Sequence, residues 1–101
     1  MINKLEAQVL KFQVSSINPA RGKTYEVVVE TSDKRILDIK AKNFKDALGQ
    51  SYEFLLRTAD PLRALKVQAS EDFNGDEQAE IISKFTRYSE LKNVHVSYYF
   101  R

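Results

Sequence analysis

Residues 8–17 alternate between an apolar side, Leu10, Phe12 and Val14, and a polar side, Lys11, Gln13 and Ser15. Residues 24–31 repeat the pattern, with Tyr25, Val27 and Val29 set against Glu26, Val28 and Glu30. Residues 35–42 follow with Leu37, Ile39 and Ala41 against Ile36, Asp38 and Lys40. A period of two is the mark of a strand with one buried face, so three strands are expected here.

Facing requirements constrain how they pair, because a slip of one residue turns every side chain to the other face. Pairing positions whose numbers sum to 66 sets Val29 by Leu37, Val27 by Ile39 and Tyr25 by Ala41. It also brings Glu26 opposite Lys40, a favourable cross-strand charge pair. The connection is then the three-residue turn Ser32-Asp33-Lys34. For the first two strands a sum of 41 matches Val14 with Val27, Phe12 with Val29 and Lys11 with Glu30. An antiparallel meander follows.

The period changes over residues 43–59. Asn43 is an N-cap residue, and Phe44, Leu48, Ser51, Tyr52, Leu55 and Ala59 share one helical face opposite Asp46, Gln50, Glu53 and Arg57. Gly49 weakens this helix, and Asp60-Pro61 stops it. Residues 64–70 return to alternation, with Leu65, Val67 and Ala69 apolar. Asn74 and Glu77 have the spacing of a capping box and open a second helix over 75–90. Its expected buried residues are Ile81, Ile82, Phe85 and Tyr88, with Glu80 and Lys84 on the wet side. A last strand over 94–100 points Val94, Val96, Tyr98 and Phe100 inward and His95, Ser97 and Tyr99 outward. The order β-β-β-α-β-α-β defines an α+β fold spanning 1–101 as a single domain. The three-stranded meander is extended by two further strands, and both helices pack on one face of the sheet.

Composition narrows the functional classes. The 101 residues contain no Cys, which removes disulfides, thiol catalysis and thiolate-bound metal. No apolar run approaches the roughly 20 residues that span a bilayer, and residues 1–8 lack the apolar core of a signal peptide. The expectation is a soluble cytoplasmic protein with no membrane association. Net charge is only +2, which argues against an acidic mimic of nucleic acid.

Three segments invite a chemical reading. Gly22-Lys23-Thr24 resembles the end of a phosphate-binding loop, but that loop needs Gly at position 17, where Ile stands, and a helix afterwards, where a strand follows. The acidic stretch from Glu71 to Glu77 resembles a calcium loop only in part. With Gly75 in the sixth position, the twelfth ligand would be Ile81 rather than a carboxylate. His95 is the only histidine and shares the outer side of its strand with Ser97, without a third group to orient it. No catalytic residue, cofactor site or metal site is assigned, and the reading leans away from an enzyme.

The expected role is a small non-catalytic binding or regulatory module acting through protein–protein interaction. Val28, Ile36, His95 and Tyr99 on the outer sheet face are the candidate contact residues. If the last or the first strand is an edge, it offers pairing to a partner or to a second copy, giving a homodimer. The alternative is modest nucleic-acid binding by the segment 21–45, with seven basic residues against four acidic ones. Its contacts would be Arg21, Lys23, Lys40, Lys42 and Lys45. A second alternative is an enzyme or small-ligand binder whose site forms only in three dimensions.

Overall fold

The computed structural model describes residues 8–18, 20, 22–30, 35–57 and 64–100, and their side chains except those of 15–18, 35 and 36. Five strands are present: β1 (Gln8–Asn18), β2 (Gly22–Glu30), β3 (Arg35–Ala41), β4 (Ala64–Ala69) and β5 (His95–Phe100). The two helices are α1 (Phe44–Arg57) and α2 (Gly75–Lys92). The strands form one mixed sheet of order β3-β2-β1-β4-β5. β2 runs antiparallel to both of its neighbours, whereas β1, β4 and β5 are parallel. The first strand is therefore central, and the two edges are β3 and β5.

Both helices lie on one face of the sheet. α1 packs over β2 and β3, α2 packs against β5, and the helices touch one another. Each helix begins with a cap written in the sequence. The Asp46 N–H donates to Asn43 Oδ1 at 2.8 Å. At α2 the capping box is complete: the Glu77 N–H donates to Asn74 Oδ1 at 2.9 Å, and the Asn74 N–H donates to Glu77 Oε1 at 3.1 Å. α2 ends at Asn93, whose left-handed backbone (φ 55°, ψ 51°) reverses the chain into β5. Gly22 opens β2 with φ +86°, a conformation that disfavours any side chain.

Between sheet and helices lies a core of Leu10, Phe12, Val27, Val29, Leu48, Leu55, Leu65, Val67, Ile81 and Phe85 with their neighbours. Phe12 sits at its centre, edge-on to Phe73 (6.3 Å between ring centroids) and to Phe85 (6.2 Å). Phe73 also packs against Tyr25 and Phe44. The acidic segment that resembles a calcium loop is thus anchored by an aromatic plug. Ser51 is fully buried, and its hydroxyl donates to the Leu48 carbonyl at 2.9 Å. Tyr88 is buried as well. Desolvation, and secondarily the nearby Tyr52, push its phenol up from the ordinary 10.0.

Several expectations are met and others are corrected. The β2–β3 register is the expected one, Val29 with Leu37, Val27 with Ile39, Glu26 with Lys40 and Tyr25 with Ala41. It shifts by one residue beyond Val29, where Glu30 meets Arg35. The β1–β2 register differs by two: Phe12 pairs with Val27, Leu10 with Val29 and Val14 with Tyr25. A two-residue slip keeps each side chain on its expected face, so the facing pattern is blind to it. Ile82 is not core but 39 % exposed, because α2 presents Ile81, Phe85 and Tyr88 to the sheet and turns Ile82 toward the β5 side. Ala59, Asp60-Pro61 and the turn Ser32-Asp33-Lys34 lie outside the described residues.

Candidate functional site

Register builds the outer face of the sheet row by row. Asp38 on β3, Val28 on β2, Lys11 on β1, Gln68 on β4 and Tyr99 on β5 are successive partners across all five strands. Around Val28 and Lys11 polar side chains of the neighbouring rows are tied to one another or to this row. Lys11 Nζ approaches Glu30 Oε1 at 2.6 Å, and Gln13 Nε2 donates to Glu26 Oε1 at 2.8 Å. These contacts roof the middle of the sheet. Val28 points outward as its parity requires, yet it is only 2 % exposed. Its expected role as an accessible apolar contact is therefore corrected: between Lys11 and Asp38 on the flanking strands, the short valine side chain is covered.

Tyr99 is different. It is 53 % exposed, and it stands at the wall of an open groove of about 680 Å3. The groove lies at the carboxyl ends of β4 and β5, alongside the middle of β1. Lys11 and Gln13, Gln68, and Tyr98 to Phe100 line it, and the segment Ser70 to Asp72 forms its rim. Carboxyl ends of parallel strands are where open α/β sheets hold their ligands, because the connecting loops diverge there and leave a crevice.

Hydrogen bonds shape that rim. The Ser70 N–H donates to the Phe12 carbonyl at 3.1 Å, which ties the end of β4 to β1. Ser70 Oγ donates to Asp72 Oδ2 at 3.0 Å, and the Phe73 N–H closes a turn on the Ser70 carbonyl at 3.3 Å. Gln78 Nε2 donates to the Phe73 carbonyl at 3.2 Å and pins the turn to α2. The groove therefore has a braced rim. Its charge is uneven: Lys11 is neutralised by Glu30 on the floor, while Glu71 and Asp72 stand exposed at the rim.

The four residues expected at a protein interface do not form one patch. Val28 and Tyr99 occupy the same row but are three strand spacings apart, roughly 14 Å. His95 is exposed at the start of β5, four residues or about 13 Å from Tyr99. The side chain of Ile36 lies outside the described residues. The residues that do surround Tyr99, Gln68 and the Ser70–Asp72 rim among them, escaped the sequence reading. The alternation of Leu65, Val67 and Ala69 already turns Gln68 outward, but only strand order makes it the neighbour of Tyr99.

The basic candidates gather elsewhere. Lys23, Lys40, Lys42 and Lys45 are all exposed, and they come from the start of β2, the end of β3 and the start of α1, joined where Tyr25 pairs with Ala41. Arg21 lies outside the described residues. Among the described residues no three His, Asp or Glu side chains converge as a metal site. No helix among them is long and apolar enough to cross a membrane. The chain matches no protein-family model and no curated protein.

Proposed function

We propose that this protein is a non-catalytic binding module, active in the cytoplasm, that docks a protein partner on the outer face of its sheet around Tyr99. The single observation that carries the reading is the position of Tyr99, a half-exposed ring on the wall of a groove with a hydrogen-bonded rim. Tyrosine contributes a large contact area with little rotamer entropy to lose, and its hydroxyl bonds at the wet edge of an interface. The carboxylates of Glu71 and Asp72 favour a neutral or basic partner segment over an acidic one.

Affinity capture on the immobilised chain, split into nuclease-treated and untreated halves, tests the reading. A stoichiometric protein that survives nuclease and is lost with Tyr99→Ala, at unchanged melting temperature, is the expected result. Equal capture by Tyr99→Ala overturns it.

Nucleic-acid binding is the second reading, favoured by the exposure of Lys23, Lys40, Lys42 and Lys45 around one corner. It expects affinity that falls steeply with salt and a further drop on Lys23→Glu and Lys42→Glu. Asp46 and Glu53 on the neighbouring helix weigh against a deep phosphate-binding groove there.

A further inference from the structure

The two edges of the sheet are built differently. β3 carries Arg35, Asp38 and Lys40 within seven residues, and charged side chains on an edge strand oppose pairing with another chain. β5, His-Val-Ser-Tyr-Tyr-Phe, contains no Lys, Arg, Asp or Glu at all. It is the last strand of the sheet, with β4 on one side only. One edge is guarded and the other is open.

The helix layer behind β5 repeats the contrast. Tyr98 reaches across to α2, where its hydroxyl donates to the Ile82 carbonyl at 3.1 Å and lies 3.4 Å from Thr86 Oγ1. Ala79, Ile82 and Thr86 stand at i, i+3 and i+7 on that side of the helix, and the row meets a charge only at Glu90, one turn beyond Thr86. The charged residues Glu80, Lys84 and Arg87 lie on the other side, and Lys84 sits over the Tyr52 ring at 5.0 Å. Among the described residues three large apolar side chains are exposed, and two of them, Ile82 and Tyr99, flank β5 behind and in front. Val96, Tyr98 and Phe100 between them are only partly covered, with the Tyr98 and Phe100 rings 5.7 Å apart.

We infer that a second copy of this chain occupies the β5 edge, pairing β5 with β5 antiparallel about a two-fold axis. Self-pairing requires a surface that tolerates itself, since every residue meets either its own type or a neighbour. A charge near the axis would face the same charge. This edge has none in the strand, and beside Tyr98 the helix presents the uncharged Ile82 and Thr86, with Glu90 a turn further from the axis; its apolar residues extend the core from one protomer into the other. Face matching requires an even sum of positions, and the two registers with the most paired residues set Ser97 against Ser97 or Tyr98 against Tyr98. Either makes a ten-stranded sheet from two five-stranded ones and brings the two Tyr99 grooves side by side on one outer face.

Sedimentation equilibrium over a concentration series tests this with the full chain and two variants. Ser97 pairs with Lys66 on β4, so Ser97→Glu places a carboxylate opposite a lysine within the protomer but near its own copy across the axis. The unaltered chain is expected at twice its 11.7 kDa mass, and Ser97→Glu at the monomer mass with unchanged circular dichroism. Ser97→Cys introduces the only thiol in the chain, and a short thiol-to-thiol cross-linker is expected to join two copies through it in either register. A monomeric unaltered chain, a folded dimeric Ser97→Glu, or no cross-linking of Ser97→Cys overturns the inference. The inference stands apart from partner docking: a monomer that still captures a partner through Tyr99 overturns the dimer alone.

Discussion

Lys11 and Glu30 form an ion pair 2.6 Å long although they are not opposite one another: Lys11 is partnered with Val28, and Glu30 with Val9. The contact is diagonal. Long side chains reach across a diagonal as readily as straight across, so the charge match that favours a sum of 41 is satisfied in the actual register of 39. Both side chains are partly exposed, and a pair of this kind is worth about 0.2–1 kcal/mol. A double-mutant cycle with Lys11→Ala and Glu30→Ala is expected to return a coupling in that range, shrinking as salt is added. A coupling well above it would mean that the outer face is drier than its exposure indicates.

Phe73 closes the end of the core. Its ring touches Phe12, Tyr25 and Phe44 while its neighbours Asp72 and Asn74 are polar and exposed. Phe73→Ala is expected to cost about 3–5 kcal/mol, the usual loss for removing a buried phenyl group. Denaturant titration reads it directly. Glu71→Ala, two residues away and exposed, is expected to change stability by less than about 0.5 kcal/mol.

Gly49 lies within α1, and a β-carbon built there meets no atom within 4 Å. Gly49→Ala is therefore expected to stabilise the protein by about 1 kcal/mol and to raise the melting temperature by roughly 4–8 °C. Gly22→Ala is expected to act in the opposite direction, because φ +86° strains any residue with a side chain. Calorimetry on the two variants separates the helix effect from the turn effect.

Tyr88 links stability to alkaline pH. Its folded-state phenol titrates above the ordinary 10.0, so between the two values the native state holds a proton that the unfolded chain has released. Stability is then expected to fall as pH rises past about 10 and to be indifferent to this group below that. Ultraviolet titration of the phenolates is expected to show Tyr88 ionising late, and Tyr88→Phe to remove that late component. An unchanged titration curve in Tyr88→Phe would contradict this assignment.

The local elements were legible because local rules generate them. Asn43, and Asn74 with Glu77, are caps by their hydrogen-bonding chemistry, and both caps form. Alternation at Leu65, Val67 and Ala69 assigns the inner face of β4, and these residues are buried. Ile82 misled, since it borders the buried helical arc without belonging to it. The β2–β3 pairing was readable because its apolar faces and the Glu26–Lys40 charges agree on one sum.

Parity, caps and periodicity thus determined the seven elements, their order and the inner faces of β2 and β4, since these depend on neighbours close in the chain. The tertiary structure alone decided that β4 inserts beside β1 and that β5 becomes an edge. It also decided that Val28 lies covered while Tyr99 stands open over a groove. Those outcomes depend on which strands become neighbours in space, and a pattern that repeats every two residues carries no record of which strand lies alongside or of a slip by two.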